Sequence, residues 1–101
     1  MDAQDRVRAF QDEHDVVGEP EYQLLDLASE VGELAADACA ATEYGTGDGD
    51  VDVNRDEIGD ALFSLLAFAN SLDVDADAAL DDALAKYERR IDATGDPSSS
   101  D

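Results

Sequence analysis

Tryptophan is absent from this 101-residue sequence, and lysine, cysteine and histidine occur once each, as Lys86, Cys39 and His14. A single cysteine excludes an internal disulfide framework and a cysteine-based zinc site. One histidine, with no strand-turn-helix elbow, leaves no Ser/His/Asp triad. The longest apolar run, Ala61 to Ala69 with Ser64 inside it, falls far short of the ~20 residues that span a bilayer. Met1 to Asp5 is acidic and has no apolar stretch, so no signal peptide is expected. Positive charge is also scarce. Six Lys and Arg face 27 Asp and Glu, a net charge of -21. Such a surface repels phosphate backbones and anionic lipid, so neither a nucleic-acid partner nor a membrane partner is expected.

What is present is a foldable composition. Hydrophobic residues make up 44% of the chain, too many for a wholly disordered acidic tail. The length suits one small domain, expected over residues 1–93, followed by a polar, disordered tail over 94–101. So short a chain buries a modest fraction of its surface, and oligomerisation would help it. Asp greatly outnumbers Glu, and Ala replaces larger apolar residues. An ordinary cytosolic surface mixes both signs of charge. This bias reads as halophilic adaptation to a salty cytoplasm, where the Debye length falls to ~3 Å or less and self-repulsion is screened. Most acids are then solvated surface, and a functional carboxylate must be identified by position.

The hydrophobic pattern is helical throughout, with no strand-like alternation, and predicts an all-α bundle of four helices. The first runs from Asp2 to about Asp15, with Val7 and Phe10 on one face. Gly18 and Pro20 punctuate a break. The second runs from about Glu21 to Ala41 on Leu24, Leu27, Val31, Leu34 and Ala38. A Gly-rich loop follows over residues 45–50. Asp52 or Asn54 can cap a third helix to about Leu72, and Asp73 or Asp75 a fourth to about Ala93. The third is apolar around most of its circumference, which demands burial on more than one side and predicts a subunit interface. A symmetric homodimer is the minimum expected.

Two pairs of acids stand out. Glu30 and Glu33 are three apart inside the apolar pattern of the second helix, and Asp26 and Asp37 extend their stripe at spacing 4, 3, 4. Glu57 and Asp60, also three apart, open the third helix. Residues at this spacing share a helix face, where like charges repel. Gathering them toward a core is costly unless a cation compensates. Two facing helices, each offering two carboxylates, form an oxygen set suited to Mg2+ or Mn2+, and Mg2+ shares its shell with substrate phosphates. The chemistry this supports is metal-assisted attack of water on a phosphoanhydride. The plainer reading is that acid pairs arise easily among 27 acids and that Glu57 simply favours a helix N-terminus. Gly32, between the paired acids, costs roughly 1 kcal/mol in a helix and invites close packing or ligand approach as its reason.

Leu27-x-x-Glu30-Val31-Gly32-Glu33-Leu34, then Asp56-Glu57-Ile58-Gly59-Asp60-Ala61-Leu62-Phe63, then Lys86-Tyr87-Glu88-Arg89-Arg90, resembles the MazG-type nucleotide pyrophosphohydrolases, all-α NTP pyrophosphatases. The resemblance covers about Tyr22 to Arg90. It implies an oligomeric helical bundle, dimer or tetramer. It implies Mg2+ held by Glu30, Glu33, Glu57 and Asp60 as the catalytic set. The implied reaction is hydrolysis of (d)NTP to (d)NMP and pyrophosphate, a nucleotide-pool house-cleaning activity, with the cut between the α- and β-phosphates. Ser29 stands where many members carry a further Glu, and Ala83-Leu84-Ala85 lacks the Asn that often precedes the Lys of the last motif.

Lys86 and Arg90, four apart, can share a face, with Arg89 adjacent. They are read as substrate-binding residues that neutralise the triphosphate. A cation cluster favoured by a helix C-terminus is the plainer account. Asp48-Gly49-Asp50-Val51-Asp52 looks like a calcium loop but offers Val53 and Gly59 where an EF-hand needs Gly and Glu. His14 reads as a surface or cap residue and Cys39 as a small buried hydrophobe. Register poses a difficulty. If the second helix reaches Tyr44 in a simple hairpin, Glu33 and Glu57 lie about 10 Å out of step. Either that helix ends near Ala40 or the loop folds back, bringing Tyr44 and Thr46 to the nucleotide. The rival function is a non-catalytic acidic helical interaction module.

Overall fold

The structure, a computed structural model, describes residues 2–42 and 53–98. Four helices and no strand are found among them: α1 (Ala3–His14), α2 (Pro20–Ala41), α3 (Arg55–Ser71) and α4 (Ala76–Thr94). The predicted boundaries hold to within a residue or so, because local chemistry sets them. Asp2 caps α1 by accepting from the Asp5 amide, and Asp75 caps α4 by accepting from Ala78. Pro20 occupies the first turn of α2, where its missing N–H has no cost. Gly95, at φ 79°, ends α4 in the left-handed conformation that glycine adopts freely. Beyond it Ser98 donates to Asp96 in a short turn. No described helix is long and apolar enough to cross a membrane.

α3 is the central element, packed on α2 along one side and α1 along another. Leu66 and Ala67, buried in its middle, are the apolar core among the described residues. Phe10 of α1 meets Phe63 edge-on at 5.8 Å between centroids, an arrangement aromatic quadrupoles favour. Beside them a groove of about 320 Å³ opens between the two helices, with Val7, Leu62 and Leu66 in its walls. Gly18 allows the α1–α2 connection to close over the buried Gln23, since a Cβ there would lie 2.9 Å from Gln23 Nε2.

A polar hub ties α1 to the end of α3. Gln4 Nε2 donates to Asn70 Oδ1 at 3.0 Å and to the Val74 carbonyl at 2.6 Å, while Gln4 Oε1 accepts from the Ala76 amide at 2.7 Å. Asn70 Nδ2 donates to Gln11 Oε1 at 3.3 Å, and Arg8 Nη2 donates to Asn70 Oδ1 at 2.9 Å. Gln4 and Gln11 are buried, so these bonds satisfy groups that would otherwise be costly. Asp73, at φ 58°, reverses the chain, and the hub holds the first residues of α4. Beyond that anchorage α4 packs sparsely and has no buried residue, with Ala79 and Leu80 of its first turns facing Leu65 and Phe68 of α3 across a groove. The radius of gyration, 16.7 Å, exceeds the ~13 Å typical of 100 residues.

Two expectations need correction. Cys39 is exposed, because its face of α2 turns away from α3. At Gly32 no heavy atom lies within 4 Å of a would-be Cβ, so close packing within the chain is not its reason.

Candidate functional site

The acids of α2 and α3 meet along the seam between those helices. On α2 the spacing 4, 3, 4 puts Asp26, Glu30, Glu33 and Asp37 on one face. On α3 Glu57 and Asp60 occupy the first two turns. The helices run antiparallel, and the order of charges shows the register. Asp60 acts on Glu30, whereas Glu57 is flanked by Asp37 and Glu33.

Glu30 is half-buried, and that burial, followed by the charges of Glu33 and Asp60, raises its pKa. Glu57 is pushed further, to about 7. The chief cause is its hydrogen bond with Asp37, then burial, then the charges of Asp37, Asp56 and Glu33. Glu57 Oε2 is buried and has no hydrogen-bond partner. Glu33 and Asp60 are exposed.

All four acids singled out in the sequence therefore lie on this seam. They do not close on one point: among the described residues no three acidic, histidine or cysteine side chains stand close enough to hold an ion. Register is the reason. α2 continues to Ala41, so Glu57 comes level with Asp37 and the acids are distributed along the seam. Asp37 is the site residue that sequence reasoning undervalued. Its place in the stripe was legible, but its pairing with Glu57 depends on how far α2 continues and where α3 begins. Tyr44 and Thr46, expected near the nucleotide, lie outside the described residues.

The three cations lie apart from the acids, on α4. Lys86 Nζ stands 5.3 Å from the Tyr87 ring centroid, and Arg90 Nη1 donates to the Pro97 carbonyl at 3.2 Å. Lys86 and Arg89 are exposed and Arg90 is half-buried. Among the described residues no Lys or Arg side chain forms an ion pair, and His14 Nε2 lies 3.9 Å from Glu13 Oε2.

Neither a curated protein nor a solved structure matches the chain. The family model of the MazG nucleotide pyrophosphohydrolase domain matches residues 19–94, which take in α2, α3 and α4 with both acid pairs and the basic segment. The match spans well over half of the sequence, and the chain belongs to the MazG nucleotide pyrophosphohydrolase family.

Proposed function

We propose that this protein hydrolyses (d)NTP to (d)NMP and pyrophosphate with Mg2+, and that Mn2+ can replace it. The observation that carries the reading is the state of Glu57. Its carboxyl group binds a proton up to about pH 7, and one of its oxygens is buried without a partner. Acids held this close need compensation, and a bound cation supplies it as well as a proton does.

The donor set fits the metal. Every group is a hard carboxylate oxygen, which suits Mg2+ rather than a softer ion. Mg2+ is usually held by one or two protein carboxylates, with waters and phosphates completing the shell. Acids spaced along a seam meet that need without a closed cage. Glu30, Glu33, Glu57 and Asp60 are the residues that would hold it. Bound there, Mg2+ would neutralise the triphosphate and polarise it toward attack by water.

The chain's own part is to place charge and move a proton. A carboxylate of the seam that is not engaged in ligation accepts the proton of the attacking water. The water oxygen bonds to the α-phosphorus, and the bridging bond to the β-phosphate breaks to release pyrophosphate. Lys86 and Arg90, with Arg89 beside them, supply positive charge to the phosphates. The working form is a homo-oligomer, dimer or tetramer, in a salt-rich cytoplasm, and its role is house-cleaning of the nucleotide pool.

The test is pyrophosphate release from mixed dNTPs in molar KCl, with Mg2+ and with EDTA. Release with Mg2+ alone is expected. No release under either condition would leave the acidic interaction module as the better account.

A further inference from the structure

Arg90 sits on an acid-rich helix and yet meets no acid of that helix. Its neighbours three and four residues away are Lys86, Tyr87, Ala93 and Thr94. Glu88 and Asp92 are two residues away and face elsewhere. The acid placed to reach it is Asp96, which adjoins Pro97, and the Pro97 carbonyl accepts from Arg90 Nη1 at 3.2 Å. That carboxylate is engaged otherwise. Asp96 Oδ1 accepts from the Ser98 hydroxyl at 2.6 Å and from the Ser98 amide at 2.8 Å. The same two bonds, the hydroxyl's first, hold the Asp96 carboxyl below its ordinary value.

The sequence builds this turn locally. Gly95 takes φ 79° and its amide donates to the Ile91 carbonyl at 2.7 Å, which turns the chain back at the end of α4. Thr94 Oγ1 donates to the Arg90 carbonyl at 2.8 Å and accepts from the Asp96 amide at 3.2 Å, tying the turn to the helix. Pro97 fixes φ in the middle of the turn that the Asp96 side chain makes with Ser98. The result is a carbonyl returned to a side chain seven positions earlier.

A carbonyl and a carboxylate are unequal partners for a guanidinium. Either one orients it. A carboxylate would also offset its charge and compete with phosphate, whereas a carbonyl leaves the charge and the remaining N–H donors free. Lys86 is held in the same neutral manner, over the Tyr87 ring. In a chain of 27 acids, two cations that avoid ion pairing are kept for another anion.

We propose that the turn over residues 95–98 positions Arg90 for the triphosphate: the Pro97 carbonyl holds the guanidinium, and Ser98 keeps the Asp96 carboxylate from pairing with it. The inference deepens the hydrolase reading, and the use of Arg90 for phosphate rests on that reading. Asp96, Pro97 and Ser98 are positioning residues and touch no substrate.

The hold and its purpose are measured separately, both on the full chain in molar KCl. Side-chain 15N spectra, with Arg90 assigned through Arg90→Lys, read the hold. Rotation of the Arg90 guanidinium should be slower than that of Arg89, and equal rates would overturn the proposal. Calorimetry with inorganic tripolyphosphate and Mg2+ reads the purpose. Ser98→Ala releases Asp96 to pair with Arg90 and should weaken binding by about threefold. Adding Asp96→Asn to Ser98→Ala should restore it, since an amide cannot offset the charge. A double variant as weak as Ser98→Ala would make the loss a matter of turn structure, and a Ser98→Ala variant that binds like wild type would leave Asp96 no part in it; either result overturns the proposal. Wild type that shows the slow Arg90 but binds no tripolyphosphate rejects the hydrolase reading alone, and the hold on Arg90 stands.

Discussion

Glu57 of α3 lies level with Asp37 of α2, one turn beyond Glu33, and the two carboxyl groups share a hydrogen bond that pushes Glu57 up to about 7. The bond needs a proton, which makes Glu57 the reporter for the whole seam.

The first prediction follows from the sign of that shift. The ordinary value is 4.5, so between there and about 7 the native state holds a proton that the unfolded chain has released. The stability that this proton contributes is complete below the unfolded value and is lost as pH rises through about 7. In EDTA and molar KCl, wild type should lose more thermal stability from pH 5 to pH 8 than Glu57→Gln does. Equal losses would show that the seam does not hold the proton.

Mg2+ should compete for the same group. Its addition at pH 6 should release protons, measurable as a buffer-dependent heat, and Glu57→Gln should reduce that release. A binding heat independent of buffer would argue against ligation at Glu57.

Glu33→Gln and Asp60→Asn keep side-chain volume and remove a proposed ligand. Turnover should fall by roughly 100-fold or more, while helicity by circular dichroism is kept. In metal-free buffer each variant should gain a few tenths of a kcal/mol, because a like-charge neighbour is lost. Undiminished activity would return these acids to the solvated surface.

Gly32→Ala should raise metal-free stability by roughly 0.5–1 kcal/mol, since the added methyl meets nothing within the subunit. If turnover falls at the same time, ligand approach accounts for the glycine. Denaturant midpoints and the pyrophosphate assay read the two effects separately.

The helices were legible in the sequence because their limits are local. Asp2, Pro20, Asp75 and Gly95 act within a turn of their own positions, while Asn54 stands at the N-cap of α3 without a side-chain capping bond. The seam acids were legible too, since spacing alone puts Glu30 with Glu33 and Glu57 with Asp60 on common faces. Relations between helices were not. The pairing of Glu57 with Asp37 depends on how far α2 continues before the chain turns. The Gln4–Asn70 bond joins residues 66 positions apart, and nothing in either neighbourhood announces it. The exposure of Cys39 was misjudged for a related reason: periodicity shows that α2 has faces, but which face α3 covers is a tertiary fact.

The hub around Gln4 has a mechanical consequence. It grips α4 at Ala76, and Lys86 lies ten residues farther on, about 15 Å along the helix axis. A 10° error in the angle at the grip would carry Lys86 sideways by about 2.6 Å, enough to break the phosphate contact proposed for it. The amides of Gln4 and Asn70 thus work as the fulcrum of a lever whose far end bears the chain's only lysine. Substitutions there should weaken catalysis from a distance, with no acid of the seam altered.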